Sequence, residues 1–367
     1  MSAGRMDADV ERLLRADLRG RTAYGAPQLD VPVRLNTNEN PHRPSPALIA
    51  EIGRAAELAA QDLNRYPDRD AIGLRADLAG YLAGSTGTPL TRDHVWAANG
   101  SNEILQQLLQ AFGGAGRRAL GFVPSYSMHQ LISLGTSTDW VEAERDRGAG
   151  FGLEPGKAAG AVAELQPDIV FLCSPNNPTG TALDPDVVEA VYSAGSGLVV
   201  VDEAYAEFSA RPSCIGLLAG RPRLVVTRTM SKAFAFAGAR VGYLAADPSV
   251  VDALQLVRLP YHLSALTQGA ARCALARSAE LLATVDLVKA QRDRIVDTLR
   301  EDGFSVVDSD ANFVLFGAFA DSTAAWTALL ERGVLVRDVG LAGWLRVTAG
   351  TADEVSAFLD AIKEIPR

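Results

Sequence analysis

Lys232 and Arg240 stand eight positions apart in the stretch 227–243, separated by small and aromatic residues such as Ala233, Phe234, Phe236 and Gly238. The lysine follows an apolar run of strand length, Leu224 to Thr229. A lysine amine becomes a nucleophile toward carbonyl groups when apolar, partly buried surroundings lower its pKa. Met230, Ala233 and Phe234 are the neighbours that would supply them. A solvated loop lysine has the same local sequence, so the stretch leaves both readings open and the other strand ends must separate them.

In an open α/β sheet, ligands collect at the carboxyl ends of the strands. The run Val95 to Ala98 is followed by Asn99-Gly100-Ser101-Asn102-Glu103 at the start of a helical pattern. Such a turn presents backbone N–H groups to an anion, or it is a plain N-cap. Arg118 to Val123 leads into Pro124-Ser125-Tyr126-Ser127, where Tyr126 either stacks on a flat ring or packs in the core. Asp168 to Cys173 leads into Ser174-Pro175-Asn176-Asn177-Pro178-Thr179-Gly180, a rigid turn whose two adjacent amides exceed what chain reversal needs. Leu198 to Val201 ends in Asp202-Glu203-Ala204-Tyr205. An acid closing a buried strand needs a cation or hydrogen-bond donors unless it reaches solvent.

Two chemistries meet that need. A nucleotide-binding site would use the acid on magnesium and requires a Gly-x-x-x-x-Gly-Lys-Ser/Thr loop. The one Gly-Lys pair, Gly156-Lys157, has Phe151 at the first glycine position and Ala158 at the hydroxyl position, so that reading fails. The other is a protonated pyridine nitrogen. A carboxylate for the ring nitrogen, a tyrosine and an asparagine for a phenolic oxygen, a lysine for the carbonyl and an anion cradle describe a pyridoxal-phosphate site. Asp202, Tyr205, Asn177 and Lys232, with Ser101, Ser231 and Arg240 as the cradle, supply one candidate for each.

Short Val-, Ile- and Leu-rich runs alternating with helical patterns from Val95 to Ala245 predict a mostly parallel sheet covered on both faces by helices. Residues 36–250 are therefore expected to form a large α/β domain that binds the cofactor. Residues 251–367, with strand candidates at 304–307, 312–316, 334–337 and 344–348, are expected to form a smaller α+β domain. Residues 1–35 are expected to be an arm packing with that smaller domain. The Gly- and Ala-rich segment Arg145 to Gly160 reads as a loop.

The 367 residues carry 35 basic and 44 acidic side chains, a net charge of −9, which argues against general nucleic-acid binding while permitting a local anion pocket. The same deficit of basic residues counts against a cofactor-binding regulator that acts on DNA. Cys173, Cys214 and Cys273 have no paired or metal-type spacing, and the four histidines are scattered, so no metal is expected and a reduced, cytoplasmic setting is. Met1 to Arg21 contains no signal-like apolar run, and no stretch is long enough to span a membrane.

The motifs Asn36-Thr37-Asn38-Glu39-Asn40-Pro41, Arg65-Tyr66-Pro67-Asp68, Asn99-Gly100-Ser101-Asn102-Glu103, Ser174 to Gly180, Asp202-Glu203-Ala204-Tyr205, Ser231-Lys232-Ala233-Phe234 and Leu345-Arg346-Val347-Thr348 occur in this order. Together they resemble, over essentially the whole chain, the histidinol-phosphate aminotransferases of the actinobacterial type, enzymes of fold type I that use pyridoxal 5'-phosphate. Aromatic amino-acid aminotransferases and threonine-phosphate decarboxylases carry similar motifs, and the former are the alternative reading. The resemblance implies a homodimer that moves an amino group between histidinol phosphate and 2-oxoglutarate in histidine biosynthesis. It implies that Lys232 holds the cofactor covalently and then acts as base, and that Asp202 keeps the ring nitrogen protonated. Tyr205 and Asn177 would bind the ring oxygen and Tyr126 would stack on the ring. Gly100, Ser101, Ser231 and Arg240 would hold the phosphate, with Asn102 beside them and Tyr66 arriving from the partner subunit. Arg346 and Arg337 would bind the substrate's anionic end, and Tyr24, Asn40, Asn102 and Tyr261 would surround the rest of it. His129 departs from a tyrosine common among such enzymes, with an expected effect on packing behind Tyr126.

Overall fold

The structure is a computed structural model that describes residues 7–20 and 25–365. It divides into two compact units, 1–30 and 31–367. The described part of the first holds one short α-helix, α1 (Ala8–Leu13), capped by the Asp7 carboxylate, which accepts from the Asp9 N–H, and a 3-10 turn at Ala16–Leu18.

The second unit opens with β1 (Val33–Arg34) and two helices, α2 (Pro46–Ala60) and α3 (Ile72–Thr86). Ser45 caps α2 and Pro46 sits in its first turn, where a missing N–H costs nothing. Strands and helices then alternate: β2 (Val95–Ala98), α4 (Ser101–Phe112), β3 (Arg118–Val123), α5 (Ser127–Gly135), β4 (Asp139–Glu144), α6 (Pro155–Leu165), β5 (Ile169–Cys173), α7 (Pro185–Ala194), β6 (Leu198–Asp202), β7 (Leu224–Thr229) and β8 (Gly242–Ala246). These seven strands form one sheet in the order β2-β8-β7-β6-β5-β3-β4. Only β8 runs against its neighbours; the β3, β4, β5, β6 and β7 pairings are parallel. Every residue of β5, β6 and β7 is buried, which is why these strands are continuous apolar runs rather than alternating ones.

Two elements depart from the sequence expectation. β4 was not foreseen, because its Asp-Trp-Val-Glu-Ala-Glu lies at the sheet edge, half exposed, and never reads as an apolar run. The expected loop 145–160 ends at Pro155, where α6 begins and packs on α7. A proline at the helix start and the alanines that follow outweigh Gly156 and Gly160.

After β8 come α8 (Pro248–Gln255), α9 (Ala265–Ala276), which packs on α2 and α3, and the long α10 (Ser278–Glu301). A four-stranded antiparallel sheet follows, ordered β12-β13-β10-β9 and built from β9 (Ser305–Val306), β10 (Phe313–Gly317), β12 (Arg337–Asp338) and β13 (Trp344–Thr348). α10 lies on this sheet and against α12 (Ala352–Lys363), whose capping box joins Thr351 and Glu354. α11 (Ser322–Glu331) precedes β11 (Val334–Leu335), and β11 pairs in parallel with β1. Residues 33 and 34 are thereby tied to the chain three hundred positions later, which carries the segment 35–40 across the carboxyl ends of the large sheet.

One further contact joins the two sheets. Phe151, at φ 62, is buried among Val307, Leu315 and Leu341, with Trp344 edge-on at 5.7 Å between ring centroids. The fully buried Arg145 guanidinium donates to the carbonyls of Phe122, Phe151 and Cys173, fastening this turn to the ends of β3 and β5. Burial lowers its pKa to about 10, still well above neutrality.

Candidate active site

The sheet's carboxyl ends carry an anion cradle. α4 begins at Ser101 with Gly100 as its N-cap at φ 85, and no side chain caps its first turn, so the plain N-cap reading is not what the turn does. Arg240, itself at φ 55, donates from Nη1 to Ser231 Oγ at 3.2 Å. Its Nη2 lies so close to Gly100 that a Cβ there would sit 2.4 Å away. Gly242, opening β8, is pressed against the same turn: a Cβ would meet the Ser101 nitrogen at 2.1 Å. Thr229 Oγ1 donates to Ser231 Oγ and accepts from the Ser231 N–H, fixing that hydroxyl. A helix start, two serines and a guanidinium thus converge on one spot, the donor set a phosphate monoester requires.

Asp202 ends β6, 2 % exposed. Its Oδ2 meets His129 Nε2 at 3.0 Å and its Oδ1 accepts from Thr227 Oγ1 at 3.2 Å. The His129 ring stacks on Phe171, centroids 4.7 Å apart, and meets Tyr126 edge-on at 5.5 Å. Tyr126 Oη donates to Asn102 Oδ1 at 3.2 Å, so the tyrosine is a wall braced from the phosphate end. His129 therefore does more than pack behind Tyr126: it holds the carboxylate. On the opposite face of β7 from Thr227, Arg228 is buried between Glu203 and Glu207 at 2.9 and 2.8 Å, a wholly internal ion cluster under the site.

Lys232 Nζ donates to the Thr37 carbonyl at 2.9 Å and lies 5.9 Å from the centroid of the Tyr205 ring. Burial first, then the nearby Arg346, lower its pKa to about 8; Glu39 pulls it up, and Arg240 adds a smaller lowering. Tyr205 is buried against Phe313, and burial raises its pKa. Asn38 Nδ2 donates to Tyr205 Oη at 3.0 Å. Arg346 donates to Asn177 Oδ1 at 2.5 Å and to the Asn36 carbonyl at 2.8 Å, with its guanidinium over the Phe313 ring. Arg337 stands opposite Arg346 in the β12–β13 register.

Other expected residues fall elsewhere. Asn40 spends its amide on Ala233 O, Thr284 Oγ1 and the His42 N–H, bracing the lysine loop. Tyr66 is 79 % exposed and stacks on Tyr261 at 4.3 Å, on the surface rather than at the cradle of this chain. Tyr24 lies outside the described residues. Sequence reasoning missed Thr227, Gly242, Asn38 and Thr348, and the bond by which His129 holds Asp202. Gly242 alone left a signal, a glycine opening a run that is otherwise apolar.

The fold and this arrangement define an aminotransferase site. The family model for aminotransferase class I and II matches residues 31–362. The histidinol-phosphate aminotransferase of Frankia casuarinae is 66 % identical over 355 residues, 95 % of this chain and 89 % of that one. That of Mycobacterium marinum is 59 % identical over 353 residues, 96 % of this chain and 92 % of its own. The crystal structure of the Sinorhizobium meliloti histidinol-phosphate aminotransferase in complex with pyridoxal-5'-phosphate superposes with a TM-score of 0.82 at 24 % identity, covering 99 % of this chain and 98 % of that one, and shares the fold. The chain belongs to the class I and II aminotransferases and, within them, to the histidinol-phosphate aminotransferases.

Proposed function

We propose that this enzyme transfers an amino group between L-histidinol phosphate and 2-oxoglutarate in histidine biosynthesis, using pyridoxal 5'-phosphate. The observation that carries the reading is the buried lysine of lowered pKa beside Tyr205, gathered at the strand ends with the braced Asp202 carboxylate and the Ser101, Ser231 and Arg240 cradle. When bound, the cofactor supplies a carbonyl for the amine and a ring that accepts electrons.

The chain's residues do the rest. Lys232, its amine uncharged in a large fraction of molecules near pH 8, bonds the cofactor and, once displaced, moves the proton between carbon centres. Asp202, oriented by His129 and Thr227, would face the ring nitrogen and keep it protonated. Tyr205 and Asn177 bind the ring oxygen, and Tyr126 walls one face. Gly100, Ser101, Asn102, Ser231 and Arg240 seat the phosphate end. Arg346 and Arg337 take the substrate's phosphate in one half-reaction and a carboxylate in the other, a task suited to guanidinium forks. Asn102 and Tyr261 complete the substrate side.

The working form is a homodimer in which Tyr66 reaches the partner's cofactor phosphate. Tyr66, Leu256 and Leu259, respectively 79 %, 86 % and 74 % exposed, form surface that a second copy would cover. The three cysteines are unbonded, and among the described residues no helix is long and apolar enough to cross a membrane, which fits work in the cytoplasm. Comparing kcat/KM for histidinol phosphate and phenylalanine tests the substrate. A marked preference for the phosphate ester is expected; a preference for phenylalanine means an aromatic amino-acid aminotransferase.

A further inference from the structure

Asn38 is 1 % exposed and held at φ 56, a left-handed conformation that Asn tolerates better than most residues. Its polar groups meet two fixed partners besides Tyr205. Its backbone N–H donates to Thr348 Oγ1 at 3.0 Å, and its carbonyl accepts from Asn312 Nδ2 at 3.1 Å. Thr348 Oγ1 in turn lies 3.0 Å from Asn38 Oδ1. Thr348 is on β13, two residues beyond Arg346, and its own N–H is bound to the Leu35 carbonyl.

These bonds run as one directed chain. The Asn38 N–H donates to Thr348 Oγ1, which donates its own proton to Asn38 Oδ1. An amide whose oxygen is so engaged turns its NH2, which can only donate, toward Tyr205 Oη. Tyr205 then accepts from Asn38, and its one proton must leave in another direction.

We propose that Asn38 and Thr348 are positioning residues that set the Tyr205 hydroxyl as an obligate donor toward the cofactor's ring oxygen. This rests on the placement of Tyr205 given above. A donor there stabilises the anionic oxygen and so favours loss of the proton from the Lys232–cofactor linkage, lowering the pH at which the visible band of the loaded enzyme changes. The ionisable groups facing Tyr205 and Lys232 are Arg346 on β13, Asp202 on β6, Cys173 on β5, Arg240 before β8 and Glu39 on the Asn38 segment, and the substitutions below leave all of them in place.

The test is a pH titration of that visible band in the holoenzyme. Tyr205→Phe, which removes the donor, should raise the midpoint by about one to two units, the worth of a hydrogen bond to a charged acceptor. Asn38→Asp keeps size and backbone tolerance but presents an acceptor that draws the Tyr205 proton toward itself, and should raise the midpoint comparably. Thr348→Val should raise it by less, and Thr348→Ser should restore the native value. In the Tyr205→Phe background Asn38→Asp should add little. If Tyr205→Phe shifts the midpoint while Asn38→Asp and Thr348→Val leave it within about 0.2 units of native, the relay is refuted and the placement of Tyr205 stands. If Tyr205→Phe itself causes no shift, both fall. Equal shifts for Thr348→Val and Thr348→Ser would also overturn the relay, since Ser keeps the hydroxyl that Val lacks.

Discussion

An amine of pKa about 8 has a consequence for assembly of the enzyme. The rate at which apoprotein captures pyridoxal phosphate should rise with pH and reach half its plateau near 8, rather than above 10 as for an exposed lysine; stopped-flow absorbance measures it. The sign for stability is the reverse of the usual salt-bridged lysine. Folding lowers this pKa, so between about 8 and 10.5 the unfolded chain holds more protons, and apoprotein stability gains with rising pH across that window. His129 makes a second prediction. His129→Phe keeps the stack on Phe171 but leaves the buried Asp202 short of one donor, a loss of about 1.5–3 kcal/mol. Turnover should fall roughly 10- to 100-fold, cofactor should dissociate faster, and the apoprotein's melting temperature should drop by a few degrees. Asp202 was legible because an acid closing an all-apolar strand demands explanation. His129 was not, because its partner is 73 positions away and no local spacing announces the pair.

At the scale of elements, the cradle depends on how closely β8 approaches the start of α4. Gly242→Ala places a methyl 2.1 Å from the Ser101 nitrogen and must push the turn outward. Affinity for pyridoxal phosphate should drop at least tenfold, while affinity for pyridoxal, which lacks the phosphate, should change little; equilibrium dialysis of both separates the two. The large sheet was legible because β5, β6 and β7 are buried on both faces and write themselves as unbroken apolar runs. β4 and α6 were not: one is a half-exposed edge strand, and the other begins with the proline and glycines of a turn. The segment 36–40 read as an undecided polar loop, since what gives it work is contact with residues 167 to 310 positions later.

For the molecule as a whole, the exposed Leu256 and Leu259 give the proposed dimer a direct test. Leu256→Glu with Leu259→Glu puts two charges where a second copy would close, and should shift sedimentation toward monomer. Turnover should fall with it, because Tyr66 would then have no partner's site to enter. The order of the strand-end motifs made the family legible, whereas the joint between the two sheets left no mark in the sequence beyond one phenylalanine in a glycine-rich turn.

That phenylalanine is also one of the contacts that hold the two sheets together. Separating them at Phe151 would return its ring to water at a cost of about 1.5–3 kcal/mol. Trp344, edge-on to that ring, reports on it. In Phe151→Ala the tryptophan emission should move to longer wavelength without ligand and shift back when substrate is added, because the substrate's anion would then hold closed what the ring no longer does.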